Sequence, residues 1–172
     1  MSKKIAVLLT NEFEDSEYTE PAKAFEEAGH KLTVIEKSKG ETVKGKTDGV
    51  EVTTDAGIDD VSPEEFDALL LPGGFSPDIL RADDRFVTFT KAFMDDQKPV
   101  FAICHGPQLL ITAEALKGRD ITGYTSIKID LQNAGAHFHD KEVVVCHDQL
   151  VSSRTPDDIP AFIRESLKLL NK

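Results

Sequence analysis

Pro99-Val100-Phe101-Ala102-Ile103-Cys104-His105-Gly106-Pro107 is an apolar run that stops abruptly in a cysteine, a histidine and a glycine, with a helical pattern behind it. A run without polar alternation suits a strand covered on both faces, as in a parallel sheet. A sharp turn from such a strand into a helix presents a nucleophile at the strand's tip. The positive end of the next helix would favour thiolate at Cys104. The segment predicts an α/β protein that works through a cysteine.

Outward from this stretch, strand and helix alternate. Lys4 to Thr10 reads as the first buried strand. Glu20-Pro21 is expected to open a helix, with proline at an early position where its missing N–H does no harm, and Gly29 to end it. Lys31 to Glu36 is the second strand. A polar excursion over 38–55 holds a hairpin around Thr47-Asp48-Gly49. Ser62 and Glu65 form a capping box for a short helix. Ala68 to Leu71 is the third strand, closed by Pro72-Gly73-Gly74, and a helix over Asp83 to Gln97 turns Phe86, Phe89, Phe93 and Met94 inward. After Cys104 a helix runs from about Pro107 to Leu116, with another near Ile129–Ala134. Glu142 to Val145 and Leu150 to Ser153 are late strands, and Asp157-Asp158 opens a final helix to Leu170. The order predicts one domain over residues 1–172, a doubly wound and mainly parallel sheet between two helix layers. Sites in such sheets lie beyond the carboxyl ends of the strands, where the Asn11–Glu17 loop, the Gly-Gly loop and Cys104-His105 converge.

Composition narrows the function. No apolar run approaches the ~20 residues of a membrane span, and the first apolar run reads as a core strand rather than a signal peptide. A net charge of −11 argues against nucleic acid or an anionic membrane as the main partner. Two cysteines without a Cys-x-x-Cys pair fit a cytoplasmic protein with reduced thiols.

Several residues are candidates for chemistry. Cys104 is the predicted nucleophile, whereas Cys146, inside or at the end of a strand, is expected to pack. His105 adjoins the nucleophile, but neighbouring side chains on a turn diverge; as a base it needs an orienting carboxylate, with Asp78 and Asp83 both in range. The N–H groups of Gly73, Gly74 and residue 105 are expected to form an oxyanion hole. Glu12, Glu14, Asp15 and Glu17 make an acidic loop, and any carboxyl brought beside Cys104 would have its pKa raised by burial. Spacing does not choose among them. His137 and His139 alternate, and with Cys146 and His147 they are the only hint of a metal site; no metal is expected.

Five segments, taken together, resemble the PfpI family of the parkinsonism-associated deglycase superfamily, in the manner of its bacterial general stress proteins. They are Asn11-Glu12-Phe13-Glu14-Asp15-Ser16-Glu17, Leu71-Pro72-Gly73-Gly74-Phe75-Ser76-Pro77-Asp78, Ala102 to Gln108, Asn133-Ala134-Gly135-Ala136, and Ser152 to Asp158. The resemblance covers the whole chain in order. It implies a flavodoxin-like α/β/α sandwich, similar to class I glutamine amidotransferases, that assembles as homodimers or homohexamers and uses no cofactor. It implies Cys104 as the reactive cysteine, Glu17 as the glutamate touching it, and His105 as the histidine of a protease-type triad. Asp78 stands where relatives carry a glutamate donated across a subunit interface, one methylene longer. Tyr124 matches a tyrosine near the cysteine, and Glu14 joins it as a substrate-binding candidate.

The family's activities include cysteine peptidase, cofactor-free glyoxalase and deglycase. Addition of a thiolate to an activated aldehyde needs Cys104, a proton carrier at Glu17 and an oxyanion hole. Peptide cleavage further needs a base that protonates a poor amine leaving group, and His105 with a shortened Asp78 is a weaker basis for it. The expected function is therefore a glyoxalase III-type or deglycase enzyme acting on a small aldehyde or a glycated protein. The alternatives are a PfpI-type peptidase and a non-enzymatic redox-sensing stress protein or chaperone. A glutaminase is excluded because Ser152 to Asp158 lacks a histidine, a receiver domain because strand three ends in Pro72 rather than aspartate, and a flavodoxin because an acidic loop repels phosphate.

Overall fold

In a computed structural model describing residues 1–172, the first core strand β1 (Lys4–Leu8) leads into α1 (Asp15–Glu27), β2 (Lys31–Glu36), the hairpin β3 (Thr42–Lys44) and β4 (Glu51–Thr53), then β5 (Ala56–Gly57) and β6 (Ala68–Leu71). Next come α2 (Ser76–Leu80), α3 (Asp84–Asp95), β7 (Val100–Ile103), α4 (Gln108–Thr112), β8 (Asp120–Ile121), α5 (Lys128–Asn133) and β9 (His137–Phe138). The chain ends with β10 (Val144–Cys146), β11 (Leu150–Ser153) and α6 (Ile159–Leu170). Seven strands form one sheet in the order β10-β11-β7-β6-β1-β2-β5, parallel except for β10 against β11.

Successive side chains of a strand point to opposite faces, and the core divides accordingly. Ala6, Leu8, Leu69, Leu71, Val100 and Ala102 meet Phe86, Phe89 and Phe93 of α3 and Leu109 and Leu110 of α4. Ile5, Val7, Leu70, Phe101 and Ile103 face α1 through Phe25 and α6 through Phe162 and Leu170. The result is a flavodoxin-like layered α/β fold. Connections from β1 run to one side and from β6 to the other, so a crevice opens between their carboxyl ends.

Three elements differ from the expectation. Helix α1 starts at Asp15 rather than at Pro21, which lies inside it. The acidic residues taken for a loop form its first turn, where Asp15 and Glu17 meet the positive helix end, and that outweighs the bond lost at an interior proline. Helix α4 covers only Gln108–Thr112, because Glu114 turns into the left-handed region at φ 54°. The capping box of Ser62 and Glu65 does close, but around one 3-10 turn, Pro63–Glu65.

Candidate active site

Cys104 leaves β7 at φ 62°, a left-handed conformation that non-glycine residues adopt rarely. Its N–H donates to Ser153 O at 3.0 Å, and its carbonyl accepts from Tyr124 N–H at 2.9 Å. The turn closes because Gly106 has no side chain: a Cβ there would lie 2.2 Å from Leu71 O. On the next strand, Gly74 has φ +80°, and a Cβ would lie 2.5 Å from Glu12 O and from Glu14 N. Glu14 N–H donates to Gly73 O and Phe75 N–H to Glu12 O, so the chain leaving β1 is fastened to the loop leaving β6.

This fastening carries Glu17, fully buried in the first turn of α1, to the cysteine. Its Oε1 accepts from Gly73 N–H at 3.0 Å, while buried Oε2 has no fixed donor. The carboxyl also interacts directly with the Cys104 thiol. Burial, partly offset by the Gly73 bond, pushes Glu17 up to about 8. Cys104 is 8% exposed, and burial pushes its thiol up; a charged Glu17 pushes it further, against amide bonds from His105 and Gly74 that favour thiolate. Against the expected thiolate at a helix end, burial favours the thiol. Five residues of α4 carry little dipole, and desolvation dominates. Burial thus favours the protonated form of both groups, and loss of one proton leaves the other shared between Glu17 and sulfur.

The other predicted residues fall in two groups. Glu14, Glu17, Gly74, Cys104, His105 and Tyr124 all line one cavity of about 420 Å³. The Gly73 N–H, expected in the oxyanion hole, is instead engaged by Glu17, leaving the Gly74 and His105 amides at the sulfur. His105 does meet the thiol, Nδ1 lying 3.4 Å from Sγ, contrary to the expected divergence. The left-handed turn at Cys104 brings the two side chains together. His105 Nε2 faces Ser126 Oγ at 3.3 Å, and its ring stacks on Tyr124 at 4.9 Å. Burial holds His105 below its ordinary value, although the negative charge of Asp78 draws it upward. Neither candidate carboxylate bonds to it within the chain. Asp78 pairs with Arg81 at 3.3 Å, and Asp83 caps α3 through Arg85 N–H.

Cys146 is buried and accepts from Asp120 N–H, as a packing cysteine should. His139 bonds Asp120 at 2.9 Å, and no group of three or more His, Cys, Asp or Glu side chains converges to hold a metal ion. A second, larger cleft of about 780 Å³, near Thr10, Glu36 and Asp83, carries no cysteine or histidine.

Four lining residues were missed, Lys46, Thr47, Phe75 and Pro156; of these Lys46, from the β3–β4 hairpin, enters the cavity wall with Nζ 2.8 Å from Glu14 Oε2. Its only sequence signal was a lysine beside Gly45 in a hairpin whose position on the sheet was unknown.

Residues 3–169 match the profile of the DJ-1/PfpI family. General stress protein 18 of Bacillus subtilis is 77% identical over 172 residues, spanning 100% of both chains. Protein/nucleic acid deglycase 2 of Escherichia coli is 65% identical over 170 residues, 99% of each. Among solved structures, a two-domain protein of Anabaena variabilis with dj-1/thij/pfpi-like and ferritin-like domains superposes with a TM-score of 0.95 at 36% identity. That match covers 98% of this chain and 48% of the two-domain one. No helix here is long and apolar enough to cross a membrane.

Proposed function

Because this chain belongs to the DJ-1/PfpI family, we propose that it is a cytoplasmic, stress-protective cysteine enzyme that converts reactive 1,2-dicarbonyls to 2-hydroxy acids without a cofactor. The observation that carries the reading is the buried pair of Glu17 and Cys104, with the Gly74 and His105 amides at the sulfur. Glu17, once ionised, takes the thiol proton. The thiolate attacks the aldehyde carbon, the carbonyl π electrons move to oxygen, and that oxygen takes the proton back from Glu17, giving a hemithioacetal and restoring the carboxylate. Glu17 carboxylate then removes the hydrogen from the sulfur-bearing carbon and returns it to the neighbouring one, through an enediol. The first carbon is oxidised to a thioester while the second is reduced to an alcohol, so no outside oxidant is needed. Water releases the acid and restores the thiol. A hemiaminal precursor of a glycated amine would enter the same path by breaking its C–N bond, the hydroxyl proton passing to nitrogen, to release the amine and the aldehyde that the thiolate attacks, which links this site to the name of the Escherichia coli relative.

Residues 1–172 would form one PfpI-like domain that works as a homodimer or homohexamer. Phe75 and Ile79, apolar and 61% and 49% exposed, flank Asp78 on α2, and a neighbouring copy seated there would bring a carboxylate toward His105.

The test is turnover of methylglyoxal by freshly reduced protein, read as chiral lactate, beside Cys104→Ser. Lactate of one hand that requires Cys104 is the expected result. Aldehyde loss without lactate would mean reversible trapping by the thiol and would reject the reading. A second reading, a cysteine peptidase, draws on the 3.4 Å approach of His105 to the sulfur. It predicts peptide hydrolysis that falls with His105→Ala, a change expected to alter lactate formation far less.

A further inference from the structure

Lys46 is built into the cavity wall rather than left to reach it by chance. Its N–H donates to Phe13 O at 2.9 Å, and the next N–H, of Thr47, donates to Asp15 Oδ1 at 2.9 Å. Gly45 lets the buried Asp15 carboxylate pass beneath the hairpin, since a Cβ at that position would lie 2.2 Å from Asp15 Oδ2. Glu14 Oε2 then orients the ammonium at 2.8 Å, and Thr47 Oγ1 donates to the same Glu14 oxygen at 2.8 Å. The Lys46 side chain is 34% exposed, and an ion pair of that exposure contributes under about 1 kcal/mol. Stability alone gives little reason for so many fixed contacts.

Lys46 is the only lysine or arginine lining the cavity, and burial disfavours the charged form of His105. An ammonium has three donors, and Glu14 occupies one. On the proposed reaction path, the Gly74 and His105 amides serve the sulfur and the oxygen on the carbon it attacks, and Glu17 moves the proton. The oxygen on the adjacent carbon, which gathers negative charge as the enediolate forms, still lacks a charged donor. We propose that Lys46 binds this second oxygen and thereby makes the site selective for carbonyl compounds bearing an oxygen on the neighbouring carbon. The inference deepens the dicarbonyl reading and names its selecting residue. Its charge also bears on Cys104, Glu17 and His105, as a cation facing the reacting atoms would.

Alkylation of Cys104 tests the inference without turnover. Iodoacetate and iodoacetamide each lose iodide to the thiolate, and both carry oxygen on the carbon next to the one attacked, charged in the first and neutral in the second. Relative to a small free thiol, the wild-type protein should favour iodoacetate. Lys46→Gln should lower the iodoacetate-to-iodoacetamide rate ratio about tenfold, the effect of losing one charge-assisted hydrogen bond, and Lys46→Arg should retain most of it. Glu14→Gln, which releases the ammonium, should raise the ratio. A change in folding or in thiol acidity affects both reagents alike and cancels. An unchanged ratio in Lys46→Gln overturns the inference. So does a Glu14→Gln/Lys46→Gln double variant that behaves like wild type, because net charge rather than contact would then explain the preference. A charge preference lost in Lys46→Gln upholds the inference even where methylglyoxal yields no lactate, and in that case only the dicarbonyl reading fails.

Discussion

Glu17 has no exposed surface, yet only one of its carboxyl oxygens has a fixed donor, so its charge is costly in the folded state and useful there. Its pKa rises from an ordinary 4.5 to about 8, chiefly through burial. The folded chain therefore holds a proton that the unfolded chain releases between those values, and stability falls as pH rises through that window. Glu17→Gln keeps an oxygen for Gly73 N–H and carries no charge. It should stabilise the protein by about 3 kcal/mol at pH 7, a gain that shrinks as pH falls toward 5, measured by urea unfolding. The same substitution should slow turnover by about 10²-fold, as loss of a proton carrier does. In the wild type, alkylation of Cys104 should rise with pH through a step near 8, and in Glu17→Gln that step should disappear. More stable but less active is the signature of a strained functional carboxyl; loss of both would assign Glu17 to structure alone. Cys104 could be read from the chain because the signals that mark it, an apolar run, a cysteine and a turn glycine, are contiguous. Spacing did not tell Glu17 from Glu12, Glu14 or Asp15, and only the family resemblance singled it out; the start of α1 shows why that carboxyl turns inward.

Strand β7 and helix α4 meet at a turn that depends on one missing side chain. A Cβ on Gly106 would lie 2.2 Å from Leu71 O, and that backbone is pinned in β6 between β1 and β7. Gly106→Ala should cost about 3 kcal/mol or more and slow Cys104 alkylation as the turn opens. Gly118 offers a control: at φ +75° with nothing within 4 Å of its would-be Cβ, Gly118→Ala should cost only about 1 kcal/mol, the conformational penalty alone. Equal urea midpoints for the two variants would refute the close-contact argument. At this scale the sequence was readable where signals are local. The apolar runs of β1, β6 and β7, the Thr47-Asp48-Gly49 hairpin and the inward phenylalanines of α3 all stand where periodicity and turn chemistry put them. Helix α1 was misread because Pro21 looks like a helix start, while the contacts that fix Asp15 come from the hairpin at Thr47 and Val50, more than 30 residues away. Lys46 was invisible for the same reason: only the docking of that hairpin over α1 turns a surface lysine into part of a cavity wall.

Across the whole molecule, two buried groups at opposite ends of the sheet pull stability in opposite directions with pH. His30, at the entry to β2, accepts from Lys3 N–H through Nδ1 at 3.1 Å, which fastens the N-terminal segment beside β2. Burial holds it below its ordinary value, with the N-terminus and Lys3 adding to the effect and Asn171 opposing it. Below about 6.5 the unfolded chain takes up a proton that folded His30 resists, so stability is lost as pH falls from there. Glu17 acts the other way between 4.5 and about 8, joined by Glu36, which burial and the neighbouring Glu41 also raise. The opposing slopes overlap below 6.5 and leave the carboxyls unopposed above it. The Tm of the wild type should therefore change little just below pH 6.5 and decline from there to pH 8. Glu17→Gln should flatten the decline above 6.5, where His30 no longer titrates. His30→Asn, which keeps an acceptor for Lys3 N–H, should leave that decline intact and reveal the same downward slope below 6.5. A wild-type Tm that climbs from pH 6.5 to 8 would show that neither buried carboxyl is held protonated, and the shared proton assigned to the Cys104 site would fall with it.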